Sequence, residues 1–307
     1  MRHLRPMRYV DEVARLGSIR RAAERLNVTP SAINRRIADL EEELGTLLFE
    51  RLPRGMRPTA AGELLLRHIR AQAAELETVH SHIEDLRGLR RGTIRLACSQ
   101  ALAHGLVGDA VAAFRAKAPL VRFAVTVCGH EAALALLDSY EVDLVLIVGT
   151  ARAAHVLTLA SAEQSLVAVM RADHRFAARP VVRLRDLEGE ALVLPDRSLL
   201  GRRILDTALD RRRSRAAPVV ESNSFDLLWQ VVRREGAVSV QFALGAPSGE
   251  EARDRGLVAR PLDPGDAPPA TVVLGQLRDR TLPVAAARFA EMVAAMLSSV
   301  GVAPGTA

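Results

Sequence analysis

The sequence is poor in cysteine and aromatic residues and lacks any long apolar run. Two cysteines among 307 residues argue against a disulfide scaffold and fit a reducing compartment. The longest apolar stretches have the length of a strand, such as DLVLIV at 143–148, whereas a membrane-spanning helix needs about 20 apolar residues. The first residues carry charged side chains where a signal peptide would have an apolar segment. We therefore expect a cytoplasmic protein with no membrane partner.

Lysine is nearly absent as well. Lys117 is the one lysine, so arginine supplies the rest of the positive charge, and the formal net charge is +6. Such a charge favours an anionic partner. Hydrophobic residues make up 49% of the chain and charged residues 25%, which is the composition of a globular protein with one large core or two to three smaller ones.

Residues 1–58 predict a small helical domain. Its first helix should end at Gly17, and Ser18 should cap a second helix in which Ala22 and Ala23 allow a close neighbour. Asn27 in the connector suits a left-handed backbone.

A third helix should follow, with Thr29 as its cap and Pro30 in the first position, where the missing N–H costs nothing. Apolar residues at helical spacing predict its buried face: Ile33, Ile37, Leu40 and Leu44. A helix, a tight turn and a capped second helix form the helix-turn-helix pattern. The next segment, LLFERLPRGMRPT, predicts a small hairpin, or wing.

Residues 59–91 predict a long linker helix. Apolar residues repeat along it in heptads, with one interruption at Gln72: Leu65, Ile69, Leu76, Val79, Ile83 and Leu86. This seam favours a dimerisation helix. The alternative is a helix packed on its own domain, since short heptads arise easily.

From residue 92 to 307, strand-like segments alternate with helical ones, which predicts parallel sheets covered by helices. Two such systems favour two α/β lobes with a cleft between them. We expect lobe I at about 92–163 plus 270–307, and lobe II at about 164–269.

The segment GSIRRAAERLNVTPSAINRRIADLEEELGTLLFER, continuing through PTAAGE, resembles the LysR-type transcriptional regulators. The features shared with that family are the Gly-Ser start, the Ala-Ala pair, the helix led by threonine, the Leu-Gly exit, Leu-Phe-x-Arg and Thr-x-Ala-Gly. The remainder of the chain is similar to the family's effector-binding domain, which resembles periplasmic binding proteins.

The resemblance implies an α plus α/β architecture: a winged helix-turn-helix, a linker helix and a two-lobed effector-binding domain. It implies a regulator that binds double-stranded DNA and a small-molecule effector, assembles as a dimer or tetramer, and has RNA polymerase as a further candidate partner. The chain departs from the family pattern at Pro30, Asn34 and Arg36, where glutamine or serine is usual. These positions are expected to lie near bases, so the operator sequence does not follow.

The third helix supplies the candidate DNA contacts. Its geometry turns Ser31 and Arg35 away from the buried face, with Asn34 beside them, and such side chains can bond to base edges. The acidic residues 41–43 would repel phosphates, so the first two turns should enter the major groove. The expected DNA-binding residues are Ser18, Arg21, Thr29, Pro30, Ser31, Asn34, Arg35 and Arg54.

Candidate effector contacts follow the predicted strands, because ligands of parallel sheets bind beyond the carboxyl ends of the strands. They are Ser99, Gln100, Gly129, His130, Thr150, Ser198, Asn223 and Gln241. Free backbone N–H groups behind Ser99 would suit a small carboxylate. Taken singly, each residue fits an ordinary loop or cap equally well.

Motifs of other function classes are missing. The sequence has no G-x-S-x-G, no G-x-x-x-x-G-K-[ST] and no H-E-x-x-H, so we expect no enzyme, no cofactor and no metal. Cys98 and Cys128, each ending a predicted strand, raise a redox or metal switch with His130 as one hypothesis, although free cysteines far more often simply pack. The main alternative function is a small-molecule-binding protein whose N-terminal helices contact other proteins.

Overall fold

The chain folds into two compact units. A computed structural model describes residues 5–53, 55–87, 91–149, 154–214 and 216–300. One unit is formed mainly by the chain up to His80, and the other mainly by the chain from Ser81 onward.

Three short helices and a hairpin precede a long helix. In order these are α1 (Arg5–Leu16), α2 (Ile19–Leu26), α3 (Pro30–Leu44), β1 (Phe49–Leu52), β2 (Gly55–Pro58) and α4 (Ala60–Leu86). The expected caps are confirmed: the Ser18 hydroxyl accepts from the Arg21 N–H at 3.4 Å, and the Thr29 hydroxyl from the Ala32 N–H at 3.3 Å. Asn27 is left-handed, with φ of 54°.

Apolar side chains from all four helices and β1 form the core of the first unit. Its buried members are Val10, Val13, Ala22, Ala23, Ile33, Ile37, Leu48, Phe49, Leu66 and Ile69. The expected inward face of α3 is confirmed at Ile33 and Ile37, with Leu40 half-buried against them. Leu44 was expected inside but is 50% exposed, because the helix outruns the core in its last turn.

Glycines let backbone segments meet closely around the hairpin. The Met56 N–H donates to the Gly17 carbonyl at 2.8 Å, which holds β2 against the turn between α1 and α2. Gly55 has φ of 136°, and a Cβ there would lie 2.4 Å from the Gly17 oxygen. Gly62 in α4 likewise has no room for a side chain, since an added Cβ would lie 2.1 Å from the Leu48 oxygen.

The apolar seam of α4 is divided between two environments. Ile69 is buried in the core of the first unit and Leu65 packs against that core. At these two positions the helix therefore packs on its own domain rather than presenting a free heptad seam. Leu76 is half-buried, whereas Val79, Ile83 and Leu86 are exposed.

Lobe I of the second unit is a five-stranded sheet with helices. Its elements are β3 (Gly92–Cys98), α5 (Gln100–Leu102), α6 (Gly108–Lys117), β4 (Val121–Val127), α7 (His130–Asp138), β5 (Leu144–Val148), β6 (Val156–Gln164), β12 (Ala270–Leu277) and α11 (Val284–Val300). A π-helical turn, Ala103–Val107, joins α5 to α6. The strand order is β4-β3-β5-β12-β6.

Lobe II also combines strands and helices, but its strands form two smaller groups. Its elements are β7 (Leu166–Arg171), β8 (Leu192–Pro195), α8 (Leu200–Arg211), β9 (Pro218–Ser222), α9 (Phe225–Glu235), β10 (Ser239–Phe242), α10 (Gly249–Arg255) and β11 (Leu257–Pro261). The strand orders are β8-β9 and β10-β7-β11, and a bridge from Leu192 to Val238 connects the two groups.

The sequence pattern predicted parallel sheets, but the sheet of lobe I is mixed, and lobe II combines a parallel pair, β8-β9, with an antiparallel group, β10-β7-β11. The strands β3, β4 and β5 are parallel, but β12 is antiparallel to both of its neighbours. The chain returns from lobe II through β12, and a returning strand enters the sheet in the opposite direction. The strands β6 and β11 lie at the edges of their sheets and were not anticipated.

We expect Gly62→Ala to destabilise the protein. Its new methyl would collide with the Leu48 carbonyl, and forced overpacking costs about 1–3 kcal/mol of the free energy of unfolding. Gly108→Ala is the matched control, because that helical glycine has only an ordinary contact at 3.8 Å and alanine favours helix by up to about 1 kcal/mol. Thermal unfolding followed by circular dichroism compares them. Equal melting temperatures for Gly62→Ala and the parent protein would contradict this account.

Candidate functional site

The first two turns of α3 present polar side chains on an exposed face. The Ser31 and Thr29 hydroxyls lie 3.0 Å apart at the start of the helix. Arg35 is exposed, and among the described residues no carboxylate pairs with it. Asn34 is half-buried, and its Oδ1 accepts from Arg51 of β1 at 3.3 Å, so the wing fixes the orientation of this amide.

The acidic end of α3 has a structural task that the sequence did not reveal. Glu41 accepts from the Leu48 N–H at 2.8 Å and the Phe49 N–H at 3.3 Å, which ties the helix to the start of the hairpin. Arg36 pairs with Asp39 at 3.3 Å on the helix surface. The guanidinium left without an intramolecular partner in this part of α3 is therefore that of Arg35.

The remaining expected DNA contacts have mixed positions. Pro30 is exposed in the first turn of α3, and Arg21 is exposed in the first turn of α2. Ser18 is half-buried and uses its oxygen as the cap of α2. Arg54, expected at the tip of the wing, lies outside the described residues.

A cavity of about 440 Å³ lies between the two lobes of the second unit. Six of the eight expected effector residues line it: Ser99, Gln100, Gly129, His130, Ser198 and Gln241. Asn223 is exposed and is not part of its lining. Thr150 lies outside the described residues.

Three helical segments begin at the wall of this cavity. Gln100 begins α5, which continues through the π-helical turn into α6, while His130 begins α7 and Leu200 begins α8. The segment starting at Gln100 and α8 have no side-chain cap. First-turn N–H groups of a helix lack partners within the helix, and the helix dipole places positive potential at the same end. The wall therefore favours a negatively charged group.

Lobe I holds its polar groups against the end of β5. The Ser99 hydroxyl accepts from the Val148 N–H at 3.1 Å, and the His130 Nδ1 lies 3.3 Å from the Val148 carbonyl oxygen. A carbonyl only accepts, so Nδ1 carries the proton in this contact. Nε2 then remains for a second partner. Gly149, with φ of 116°, follows at once, and a Cβ there would lie 3.3 Å from the His130 ring.

Lobe II contributes a cation and a fixed amide. Arg203 is exposed at the cavity and has no carboxylate partner within the described ranges. The neighbouring Arg202 is buried and bonds to Asp206 at 2.6 Å and Glu221 at 2.8 Å, so the two adjacent arginines differ in role. Gln241 accepts from the Trp229 indole at 2.8 Å and donates to the Gly245 carbonyl at 2.7 Å. These bonds fix its side chain as part of the cavity wall.

Sequence reasoning missed Arg203, Gly149, Leu200 and Phe242 as lining residues. Arg203 follows another arginine, and helical spacing from Leu205 and Leu209 puts Arg202 rather than Arg203 on the buried face of α8, which is a signal that could have been used. Gly149 ends a buried strand, which is a signal for close approach that could have been used.

Two segments of the chain match models of known protein families. Residues 4–63 match the model of the bacterial regulatory helix-turn-helix protein, lysR family, and residues 87–298 match the LysR substrate binding domain. The chain belongs to the LysR family of transcriptional regulators. A curated relative, the RuBisCO operon transcriptional regulator of Allochromatium vinosum, is 28% identical over 237 residues, covering 77% of this chain and 78% of that protein.

Solved structures share the fold of this LysR-type regulator. A full-length OxyR variant from Pseudomonas aeruginosa has a TM-score of 0.68 at 23% identity, covering 96% of this chain and 94% of that one. Full-length CbnR complexed with its target DNA has a TM-score of 0.61 at 17% identity, covering 94% and 98%. The CcmR regulatory domain of Synechocystis PCC6803, in complex with 2-PG, has a TM-score of 0.54 at 17% identity, covering 67% and 97%.

The cysteines of the regulator lie side by side at the ends of β3 and β4. The Cys128 N–H donates to the Cys98 carbonyl at 3.0 Å. Burial, with a smaller contribution from Cys128, raises the pKa of the Cys98 thiol to about 12, and burial also raises the pKa of Cys128. Thiolates are the reactive form, so this environment disfavours the redox hypothesis. Over the described ranges, no group of three or more His, Cys, Asp or Glu residues is placed to hold a metal ion, and no helix is long and apolar enough to span a membrane.

We expect the folded regulator to react with iodoacetamide at one thiol at most. Cys98 is buried and stays protonated at mildly alkaline pH, while Cys128 is half-buried. Intact-mass measurement should show no more than one slow adduct in the folded state and two in denaturant. The number of free thiols is then counted after mild oxidation. Two remaining free thiols support a purely structural role for both cysteines, whereas loss of both supports a redox switch.

Proposed function

We propose that this regulator reads its operator with the first two turns of α3. The observation that carries the proposal is the exposed, unpaired guanidinium of Arg35 on a helix whose opposite face is locked into the core. A guanidinium can bond bidentately to guanine or bind a phosphate, and an amide such as Asn34 can pair with adenine. We assign Ser31, Asn34 and Arg35 to the groove, and Ser18, Arg21, Thr29 and Pro30 to the backbone or to helix placement. Arg54 remains a proposed wing contact.

Removal of Arg35 should weaken DNA binding strongly. A lost base contact costs about 1–3 kcal/mol, so Arg35→Ala should raise the Kd for the DNA upstream of its own gene by about tenfold or more. Fluorescence anisotropy over a range of salt concentrations provides the measurement.

The matched control is Arg234→Ala, which removes the same charge from an exposed position on α9. It should bind as the parent protein does. An Arg35→Ala protein with parental affinity would refute the assignment. If affinity falls equally for unrelated DNA and the salt slope drops by about one, Arg35 contacts a phosphate rather than a base.

We further infer that the effector is a small organic anion bound in the interlobe cavity. The support is the convergence of the starts of α5, α7 and α8 with Arg203 and the His130 ring around one space. Glu131 is the one acidic residue in the lining. CcmR, which has a similar fold, is described with 2-PG. Closure of the lobes around such an anion would change the association of subunits and hence the DNA contacts.

Loss of Arg203 should weaken effector binding. In a thermal-shift screen, small carboxylates and 2-PG are tested for an increase in melting temperature. For a compound that binds, Arg203→Gln should raise the Kd by about tenfold, because a charge-assisted hydrogen bond contributes about 1.5–3 kcal/mol. Arg211→Gln, on the same helix but outside the lining, should leave the Kd unchanged. Tighter binding of uncharged or cationic analogues would overturn the anion assignment.

Self-association is proposed through α4. Its exposed apolar residues are Val79, Ile83 and Leu86. In the first unit, a groove of about 420 Å³ between α1 and α4 exposes Met7 and Leu76. A second copy of the linker helix would cover such surfaces, as heptad helices do. We further propose a cytoplasmic location, where a regulator of transcription meets its DNA, and RNA polymerase as a candidate contact.

A further inference from the structure

A second cavity lies in lobe I, away from the cleft between the lobes. It has a volume of about 250 Å³ and is bounded by the end of α4, the end of α6, the start of β4 and the first turns of α11. Its lining residues are Ser81, Asp85, Arg91, Phe114, Lys117, Ala118, Val121, Val284, Ala285, Arg288 and Met292. It shares no residue with the interlobe cavity.

The inner wall is apolar and rigid. Phe114 is buried and meets the rings of Phe123 and Phe289 edge to face, with centroids 5.8 Å and 5.5 Å away. Phe123 and Phe289 also meet each other at 5.0 Å. Edge-to-face contacts fix ring orientation, so the wall is formed before any ligand arrives. This cluster uses three of the seven phenylalanines in the chain.

The rim carries more positive than negative charge. Arg288 pairs with Asp85 at 3.2 Å, and Arg91 pairs with Glu84 at 2.6 Å. Lys117, the one lysine of the chain, is exposed in the last turn of α6, and no carboxylate pairs with it in the described part of the protein. Two carboxylates therefore face three cations, and one positive charge is left at the mouth of an apolar cavity.

We propose that this cavity binds a small amphipathic monoanion, a carboxylate with an unbranched or cyclic hydrocarbon body. The body would cover Phe114, Val121 and Ala285, and the carboxylate would meet Lys117 with Arg288 or Arg91 beside it. Burial of the body gains about 25 cal/mol per Å² of apolar area, and the surplus cation selects the charge of the head group.

Occupancy would act on the linker helix. The Val284 N–H donates to the Ser81 hydroxyl at 3.0 Å, and the Arg288–Asp85 pair lies one turn further along α11. Both contacts join the end of α4 to lobe I at the edge of the cavity. A bound carboxylate competes with Asp85 for Arg288 and so changes how firmly the end of α4 is held. The site offers a second input to the regulator, independent of the interlobe effector.

Lys117 supplies a direct probe of this site. Reductive methylation with ¹³C-formaldehyde keeps the lysine charge and gives one side-chain signal, while the terminal amine gives a separate one. We would titrate hexanoate, hexanamide and hexylammonium, which share a chain and differ in charge. Hexanoate should shift the Lys117 methyl signal to saturation, with a Kd at least tenfold lower than that of hexanamide. Hexylammonium should not shift the signal.

Two variants locate the effect. Ala285→Leu fills the cavity and should abolish the hexanoate response, whereas Arg203→Gln alters the interlobe cavity and should preserve it. If Ala285→Leu does not fold, Lys117→Gln replaces it as the test, since Lys117 is exposed. Calorimetry should show that this variant binds hexanoate at least tenfold more weakly than the parent protein.

Several outcomes would overturn the proposal. They are equal binding of hexanamide, an undiminished response in Ala285→Leu, and loss of the response in Arg203→Gln, which would place hexanoate between the lobes. A methyl signal that depends on protein concentration and not on hexanoate would show instead that a second copy covers the cavity. Failure of the interlobe anion proposal would leave the Lys117 titration unaffected, so the two are separable.

Discussion

Backbone N–H groups in the first turn of a helix have no acceptor within the helix, and this constraint shapes both candidate sites. At α3 the Thr29 hydroxyl accepts from the Ala32 N–H, and Pro30 has no N–H to satisfy. The cap and the proline thus reduce the number of N–H groups without an acceptor at this helix start, and the outward side chains are available to a partner. At the interlobe cavity, α8 and the helical segment from Gln100 begin without a side-chain cap. There the first-turn donors support the anion that we propose for this cavity.

Close backbone contacts stabilise the first unit, and buried ion pairs stabilise the start of α8. Gly55 and Gly62 allow the hairpin and α4 to approach carbonyl oxygens more closely than any side chain would permit. In lobe II, buried Arg202 binds Asp206, Glu221 and the Pro195 carbonyl, which anchors α8 to the ends of β8 and β9. Removing one member of such a network leaves a buried charge without compensation. The start of α8, and with it Arg203, therefore has a fixed position.

The two cavities of the effector-binding domain differ in chemistry. The interlobe cavity is polar along helix ends and carries Arg203, which suits a compact anion. The lobe I cavity has an aromatic wall and a cationic rim, which suits an anion with an apolar body. The second cavity includes Ser81 and Asp85 from the end of α4. The two ligands that we propose would therefore act on different parts of the protein, one on the angle between the lobes and the other on the linker helix.

The sequence by itself determined the elements whose signals are local. The caps at Ser18 and Thr29 and the buried face of α3 at Ile33 and Ile37 follow from residue type and spacing, as does the convergence of Ser99, Gly129 and His130 beyond parallel strands. Tertiary structure alone decided what depends on distant partners. It reversed β12 relative to β5, buried Ile69 in the first core, turned Glu41 toward the hairpin, and brought Glu221 to Arg202. A single sequence records the chemistry of a side chain, whereas its burial and its partners are set by segments far away in the chain.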